Sequence, residues 1–171
     1  ETFKYIKNIN NSLSDSIITC LTNSVLTFSD LITNRKTDYK FDLEKFTNVN
    51  GKTGIYVQYS QVRAKKLINT IGNQSKEIKA LILNKTDKQL LSKLFLFSYY
   101  LEQSALLNEP HHLANYLYEI SNLFNQFYEN EKLSSITDPN HIASKLFITN
   151  LFLTTSHNTM FCLGILPVNE M

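Results

Sequence analysis

Two tyrosines and an arginine in the segment YVQYSQVRAKK are the side chains of this sequence best suited to bind another molecule. Tyr56, Tyr59 and Arg63 are spaced i, i+3 and i+7, so on a helix they lie within about 60° of one another. Rings and a guanidinium on one face can stack on the splayed bases of single-stranded RNA, and Lys65 and Lys66 can contact phosphates. The alternative is an amphipathic helix with core tyrosines and solvated lysines, and spacing alone favours that alternative.

Other aromatic and histidine side chains are weaker candidates. Tyr116 and Tyr118 are more simply explained as core or rim residues of an aromatic-rich bundle. His111 and His112 are neighbours that point about 100° apart on a helix, so without a third ligand they do not indicate a metal site. The sequence has no glycine-rich phosphate loop and no serine or cysteine clearly paired with a base. We therefore expect neither a catalytic residue nor a metal.

The elements that must position these side chains are predicted to be helices. The 171 residues include only 4 glycines and 3 prolines, too few for the turns of a many-stranded β protein. Apolar spacing and capping residues therefore predict an all-α bundle. The first predicted helix runs from a Ser12–Asp15 capping box to about Ile32, a short one begins near Asp42, and a third runs from Gly54 to Gly72. A short helix is predicted from Lys76 to Leu83, and a long one from a Thr86–Gln89 capping box through Leu107. The last two begin at Pro110, through HHLANYLYEISNLFNQFYENE, and at Pro139, after Asp138, to about Cys162.

Net charge, cysteine content and the uncharged run limit the partners and the cellular compartment that the sequence indicates. The net charge of +2 is too mild to indicate nucleic acid by itself, so an argument for RNA must be local. Cys20 and Cys162 cannot build a disulfide framework or a four-thiolate zinc site, which favours a reducing compartment. The chain begins at Glu1 without a signal-peptide pattern, and we interpret it as part of a longer protein. The uncharged run from 146 to 168 contains many polar residues and is predicted to be a buried helix rather than a membrane span.

Four segments together match the order, spacing and content of a known family. They are DLITNRKTDYKF, GKTGIYVQYSQVRAKKLI, PHHLANYLYEISNLFNQFYE and LGILPVNEM. The matching residues are Asn34, Arg35, Asp38, Tyr39, Gly51, Tyr56, Gln58, Tyr59, Arg63, Pro110, His111, Tyr116, Leu117, Tyr118, Phe124, Asn125, Phe127, Tyr128, Leu163, Gly164, Pro167 and Met171. Most of residues 25 to 171 thus resembles the C-terminal part of arginyl-tRNA synthetase. Two departures are Lys145, where the family more often has arginine, and a final turn that is one residue longer.

The resemblance implies an all-α helical bundle of the class I synthetase anticodon-binding type. It also implies a module that binds the anticodon stem and loop of arginine tRNA, while an upstream catalytic domain attaches arginine with ATP and Mg²⁺. Residues 1–50 would be the tail of the catalytic half, with stem-contact helices and a connector, and 51–171 the anticodon-binding domain. The parent would be a cytoplasmic ligase, and this chain would have no catalytic site, cofactor, membrane contact or DNA contact.

The family pattern implies anticodon-loop contacts for Tyr59, Arg63 and Met171, and the chemistry of the side chains adds further candidates. The expected RNA contacts are Tyr59, Arg63 and Met171 at the anticodon loop, Lys65 and Lys66 at phosphates, and Tyr56 and Tyr116 as further rings whose default is core packing. Arg35 and Lys36 are additional candidates for phosphate contacts, and Tyr118 for a base contact.

Two other functions stay open from the sequence. One is a free-standing tRNA-binding protein that regulates or escorts RNA, which an upstream class I domain would exclude. The other is a helical protein-interaction domain whose tyrosine face contacts protein. Salt separates this second function from RNA binding, because RNA binding weakens steeply with salt whereas an aromatic protein interface does not.

Overall fold

The computed structural model describes residues 1–71, 81–130 and 136–171. These residues form eight α-helices without a β-strand, which confirms the predicted all-α class. The helices are α1 (Thr2–Ile9), α2 (Asp15–Ile32), α3 (Leu43–Phe46), α4 (Gly54–Ile71), α5 (Lys85–Leu94), α6 (Phe97–Leu107), α7 (His111–Asn130) and α8 (Pro139–Cys162). Within the described ranges, every helix is too short or too polar to span a lipid bilayer.

Several helix starts were predicted correctly from their capping residues. Asp42 caps α3 by accepting a hydrogen bond from the Lys45 N–H at 3.0 Å. Asp138 caps α8 in the same way at 2.9 Å, with Pro139 in the first turn. Helix α4 begins at Gly54 as predicted, and α7 begins directly after Pro110. In each case one local signal is sufficient to set the start.

Two capping boxes were predicted at the wrong residues. Helix α2 is capped by Ser14, whose Oγ accepts a backbone N–H at 3.4 Å, rather than by Ser12. Helix α5 is capped by Asn84 rather than by Thr86. The Asn84 side chain accepts the Asp87 N–H, and the Asp87 side chain accepts the Asn84 N–H. A second suitable side chain lies two residues away in both segments. The presence of a capping residue therefore does not by itself fix the first residue of these helices.

Other differences concern how far the helices extend. Helix α1 was not predicted, and the predicted long helix through Leu107 is in fact two helices, α5 and α6. A turn at Phe95 and Leu96 separates them. Most of the predicted helix from Lys76 to Leu83 lies outside the described residues, as does Gly72, and residues 81–83 are not helical.

Two apolar clusters form the core, and α4 contributes to both. The larger cluster surrounds α7, whose Leu117, Ile120 and Phe124 are fully buried. The smaller cluster joins α1, α2, α4 and the chain end; its buried members are Ile6, Ile18, Leu21, Val25, Phe46, Ile55, Val62 and Val168. Because α4 packs on α2, α7 and α8, a limited arc of its surface is left exposed.

A buried ion pair connects α5 and α8. Lys145 is 1% exposed, and its Nζ lies 2.7 Å and 3.0 Å from the two carboxylate oxygens of Asp87. Asp87 also accepts the Asn84 N–H at 3.0 Å, so the same carboxylate caps α5 and binds α8. The lysine that departs from the family pattern therefore has a structural role in this chain.

Candidate nucleic-acid interface

Helix α4 carries the predicted tyrosine and arginine side chains, and two local features set its start. The Oγ1 of Thr53 accepts a hydrogen bond from the Tyr56 N–H at 3.1 Å and so caps the helix. Gly54 lies against the backbone of α2, where an added Cβ would be 2.2 Å from the carbonyl oxygen of Ser24. Glycine is therefore needed for this approach, which positions α4 against α2.

The guanidinium of Arg63 lies between two tyrosine rings. Its Cζ is 4.3 Å from the centre of the Tyr59 ring and 5.0 Å from the centre of the Tyr128 ring. Its Nη1 donates to Asn125 Oδ1 at 3.3 Å and to Glu129 Oε1 at 3.0 Å. Burial lowers the pKa of Arg63, but the hydrogen bond to Glu129 raises it, and the resulting pKa lies above the usual value. The group is thus a permanent cation held in one place, with 22% of its side chain exposed.

Tyr56 forms a second aromatic pair with α7. The centres of the Tyr56 and Tyr118 rings are 5.5 Å apart, and the Tyr56 hydroxyl donates to Asn122 Oδ1 at 3.2 Å. Burial raises the pKa of the Tyr56 phenol. Above this pair, Lys52 Nζ lies 5.4 Å from the centre of the Tyr118 ring and donates to Asn115 Oδ1 at 3.1 Å. Both rings are partly buried.

Helix α7 completes the surface with Tyr118 and with three polar residues for which no contact was predicted from the sequence. A stripe with spacing of four, three and four residues faces α4; it consists of Tyr118, Asn122, Asn125 and Glu129. The spacing is visible in the sequence, but asparagine and glutamate at helical spacing are equally typical of a solvated face. We call this stripe, together with Tyr56, Tyr59, Arg63 and Tyr128, the α4–α7 surface.

Tyr116 lies in the core, which contradicts its predicted contact with RNA. The side chain is 0% exposed, and its hydroxyl donates to the carbonyl of Leu94 at 3.0 Å. Its ring stacks on Tyr100 with a centre-to-centre distance of 4.8 Å. Burial raises the pKa of the Tyr116 phenol well above its ordinary value. Tyr116 therefore supports the turn between α5 and α6 and does not reach the α4–α7 surface.

The C-terminal segment, residues 164–171, is held against α4 by Gln58. Gln58 is fully buried, and its Nε2 donates to Ser24 Oγ and to the carbonyl of Leu166, both at 2.7 Å. Its Oε1 accepts the Val168 N–H at 2.9 Å. One side chain therefore joins α2, α4 and the end of the chain.

Lys65 also binds the C-terminal segment. Its Nζ donates to the carbonyl of Val168 at 3.0 Å and to Asn169 Oδ1 at 2.8 Å. Burial lowers the pKa of this ammonium group. Two of the three donors of its ammonium group are therefore used to hold the segment.

The remaining predicted residues lie at or near the surface. Lys66 on α4 and Arg35 in the connector are exposed. Lys36 is also exposed, and its Nζ lies 3.1 Å from Glu109 Oε1. Met171 is partly buried and packs against the smaller core cluster, to which α4 contributes. The fold thus brings the chain end to the helix that carries the tyrosines.

The α4–α7 surface combines groups that suit unstacked bases. Tyr59, with 36% of its surface exposed, offers an aromatic face, and Arg63 offers a planar cation that can stack or donate to a base edge. The partly buried amide of Asn122 adds a donor and an acceptor group, whereas Asn125 is buried and its amide is bonded to Arg63 and Ser60.

An all-helical domain of this architecture occurs in arginyl-tRNA synthetases of known structure. The fold matches arginyl-tRNA synthetase from Thermus thermophilus with a TM-score of 0.86 and 20% identity, over 99% of this chain and 30% of that chain. It matches the enzyme from Plasmodium falciparum with a TM-score of 0.78 and 22% identity, over 98% of this chain and 30% of that chain. At these identities the likeness establishes the fold alone.

Sequence comparison establishes the family. The chain belongs to the DALR anticodon binding domain family, whose model matches residues 57–171. An arginine–tRNA ligase of Francisella tularensis subsp. novicida is 35% identical over 144 residues, which cover 79% of this chain and 25% of that protein. One from Frankia casuarinae is 33% identical over 145 residues, covering 84% and 24%. The chain spans about a quarter of the length of these curated relatives, and the predicted family is confirmed.

Proposed function

We propose that this chain is the anticodon-recognition module of an arginine–tRNA ligase and binds the anticodon stem and loop of arginine tRNA. The observation that carries the proposal is the Arg63 guanidinium between Tyr59 and Tyr128 on the α4–α7 surface of a DALR domain. An anticodon loop presents unstacked bases, which proteins recognise by stacking and by base-edge hydrogen bonds. The bonds from Nη1 leave further guanidinium donors for a nucleotide.

Each side chain of the surface has a distinct proposed role. Tyr59 stacks on a base, Arg63 donates to a base edge, and Met171 contacts the loop from the adjoining chain end. Lys66 contacts a phosphate and positions the loop without reading its sequence. Tyr56 borders the same surface. For Tyr59 and Lys66 these roles are supported by exposure on α4, and for Met171 by its packing against the cluster to which α4 contributes.

In the whole protein, recognition by this module would act together with a separate catalytic domain. Residues 51–171 would be the anticodon-binding domain, and 1–50 the tail of the catalytic half. The catalytic domain would attach arginine to the tRNA using ATP and Mg²⁺, and anticodon binding would help to place the acceptor end. The names and the roughly fourfold greater length of the relatives support this arrangement. The same role places the protein in the cytoplasm, where tRNA is charged.

The test is binding of the 171-residue chain to labelled arginine tRNA and to a tRNA of another specificity. Selective binding to arginine tRNA is expected. If the loop makes three phosphate contacts, affinity should fall roughly 20-fold between about 50 and 200 mM salt. Arg63→Ala should weaken binding roughly 5-fold or more, since loss of one stacking or base-edge contact costs about 1–3 kcal/mol.

Lys88→Ala provides the matched control, because it removes the same charge from an exposed site on α5. It should leave affinity within about twofold. Thermal unfolding should show a small stability loss for Arg63→Ala, because the Glu129 carboxylate of its ion pair is exposed. Equal weakening by both variants, or salt-independent binding, would contradict the proposal and favour a protein partner.

A further inference from the structure

A cluster of three potential metal ligands lies at the junction of α6 and α7. Glu109, His111 and His112 each offer one ligand atom, and these three atoms lie within 4.8 Å of one another. The centres of the two imidazole rings are 4.1 Å apart. The sequence alone did not identify a third ligand beside the two histidines. In the folded chain Glu109 lies close enough to be that ligand.

The turn between the helices brings these side chains together. Asn108 ends α6 in the left-handed conformation with a φ of 52°, and the Glu109 N–H donates to the carbonyl of Ser104 at 3.0 Å. Pro110 follows with its restricted φ, and the His112 N–H donates to the carbonyl of Glu109 at 3.3 Å. The carboxylate of Glu109 therefore lies over the first turn of α7.

Lys36 orients the carboxylate of Glu109. Its Nζ lies 3.1 Å from Oε1, whereas Oε2 lies 3.3 Å from His112 Nε2. The Glu109 side chain is 14% exposed. A carboxylate that ligates a metal is typically held in this way by a second polar partner. Oε2 is thus directed toward the imidazoles while Oε1 is occupied by the lysine.

The two imidazoles have nitrogen atoms suited to coordination. His111 Nδ1 is buried and makes no hydrogen bond within the described part of the protein, whereas the buried His112 Nε2 lies 3.3 Å from Glu109 Oε2. Buried polar atoms in native proteins normally have a partner. A bound metal ion would provide one, because a neutral imidazole coordinates through a ring lone pair.

We infer that Glu109, His111 and His112 form a binding site for a divalent transition metal ion, best matched by Zn²⁺. Two imidazoles and one carboxylate, with water in a fourth position, are a recurrent zinc donor set. Mg²⁺ and Ca²⁺ prefer oxygen ligands throughout. Tetrahedral zinc ligands lie about 3.3 Å apart. Modest side-chain rotations would close the observed spacing, and the partial exposure of both histidines leaves room for them.

A metal at this position would stabilise the folded chain independently of the proposed RNA binding. The three ligands are close together because of the α6–α7 turn, and the unfolded chain does not hold Glu109 over the imidazoles. Binding to the folded state alone raises the melting temperature, and the stabilisation grows with the logarithm of 1 + [Zn²⁺]/Kd. The expected readout is therefore a zinc-dependent thermal shift.

The test is Zn²⁺ titration against a chromogenic chelator, combined with thermal unfolding of the untagged 171-residue chain. Cys162→Ser is used as the background, because Cys162 is exposed and its thiol can also bind zinc. We expect one zinc per chain and a higher melting temperature with Zn²⁺ but not with Mg²⁺. Glu109→Gln and His112→Gln should each weaken zinc binding at least 10-fold while the metal-free fold is retained.

His157→Gln is the matched control, since His157 is exposed on α8 away from the cluster. It should leave zinc affinity and the thermal shift unchanged. If His157→Gln lowers affinity as much as His112→Gln does, zinc binds to surface histidines generally and the site does not exist. Unchanged affinity in Glu109→Gln and His112→Gln would likewise overturn the inference. Circular dichroism of each metal-free variant excludes misfolding as the cause of any loss.

Discussion

Replacing Gln58 with methionine should release the C-terminal segment from α4 while the rest of the bundle stays folded. The side chain makes three hydrogen bonds, to Ser24, Leu166 and Val168, and it is fully buried. Methionine fills a similar volume but cannot make these bonds. The carbonyl of Leu166 and the N–H of Val168 would then be buried without this partner, unless the segment detaches and water hydrates them.

The structure sets limits on how much the Gln58→Met substitution should lower the free energy of unfolding. Three hydrogen bonds at about 1 kcal/mol each give a loss near 3 kcal/mol if the segment stays in place. Detachment of residues 166–171 exposes Val168, which is 4% exposed in the native state, and burial of a valine is worth roughly 1.5–3 kcal/mol. Because the molecule takes the less costly route, the free energy of unfolding should fall by roughly 1.5–3 kcal/mol.

Two measurements check this prediction. Urea unfolding followed by circular dichroism gives the global loss, and hydrogen exchange reports on the Val168 amide. A local loss of about 2 kcal/mol should speed exchange of that amide roughly 30-fold. Gln126→Met is the control, because Gln126 is exposed on α7 and should change neither quantity. Native-like exchange of residues 164–171 in a folded Gln58→Met protein would refute the reasoning.

Three further substitutions test the packing that positions the site, each by urea denaturation. Leu117→Ala should cost roughly 2–5 kcal/mol, because Leu117 is fully buried in the larger cluster; a loss below about 1 kcal/mol would contradict that packing. Gly54→Ala should cost roughly 1–3 kcal/mol, because the new Cβ would meet the Ser24 carbonyl at 2.2 Å; wild-type stability would rule out so close an approach. Lys145→Met should cost roughly 3–5 kcal/mol by leaving the buried carboxylate of Asp87 without its cation, and a stabilised variant would show that the pair is dispensable.

The start of a helix was predictable from the sequence where a single side chain provides its cap. Asp42 and Asp138 each satisfy a free N–H at the first turn of their own helix, so neither start needs a distant partner. At α2 and α5 two candidate capping residues compete, and local chemistry does not separate Ser14 from Ser12. Both capping boxes were therefore predicted two residues away from the observed caps.

The position of the break between α5 and α6 also depends on a distant residue. Apolar spacing runs through this region without interruption, and it contains neither glycine nor proline. The Leu94 carbonyl at the end of α5 accepts a hydrogen bond from Tyr116, 22 residues further along the chain. A continuous helix was therefore the natural prediction from the sequence.

The sequence by itself determined the helical class, the family, and the placement of Tyr56, Tyr59 and Arg63 on one side of α4, because the helical period sets the angles between residues of one helix. The helical period does not determine which side of a helix packs against the core. Tyr116 and Tyr118 are two residues apart on α7, yet one is buried and the other borders the α4–α7 surface. Lys65 has the sequence context of a solvated lysine, but it binds a carbonyl 103 residues away. Only the tertiary structure decided these roles, since they depend on which distant backbone and side-chain groups the packing of helices brings into contact.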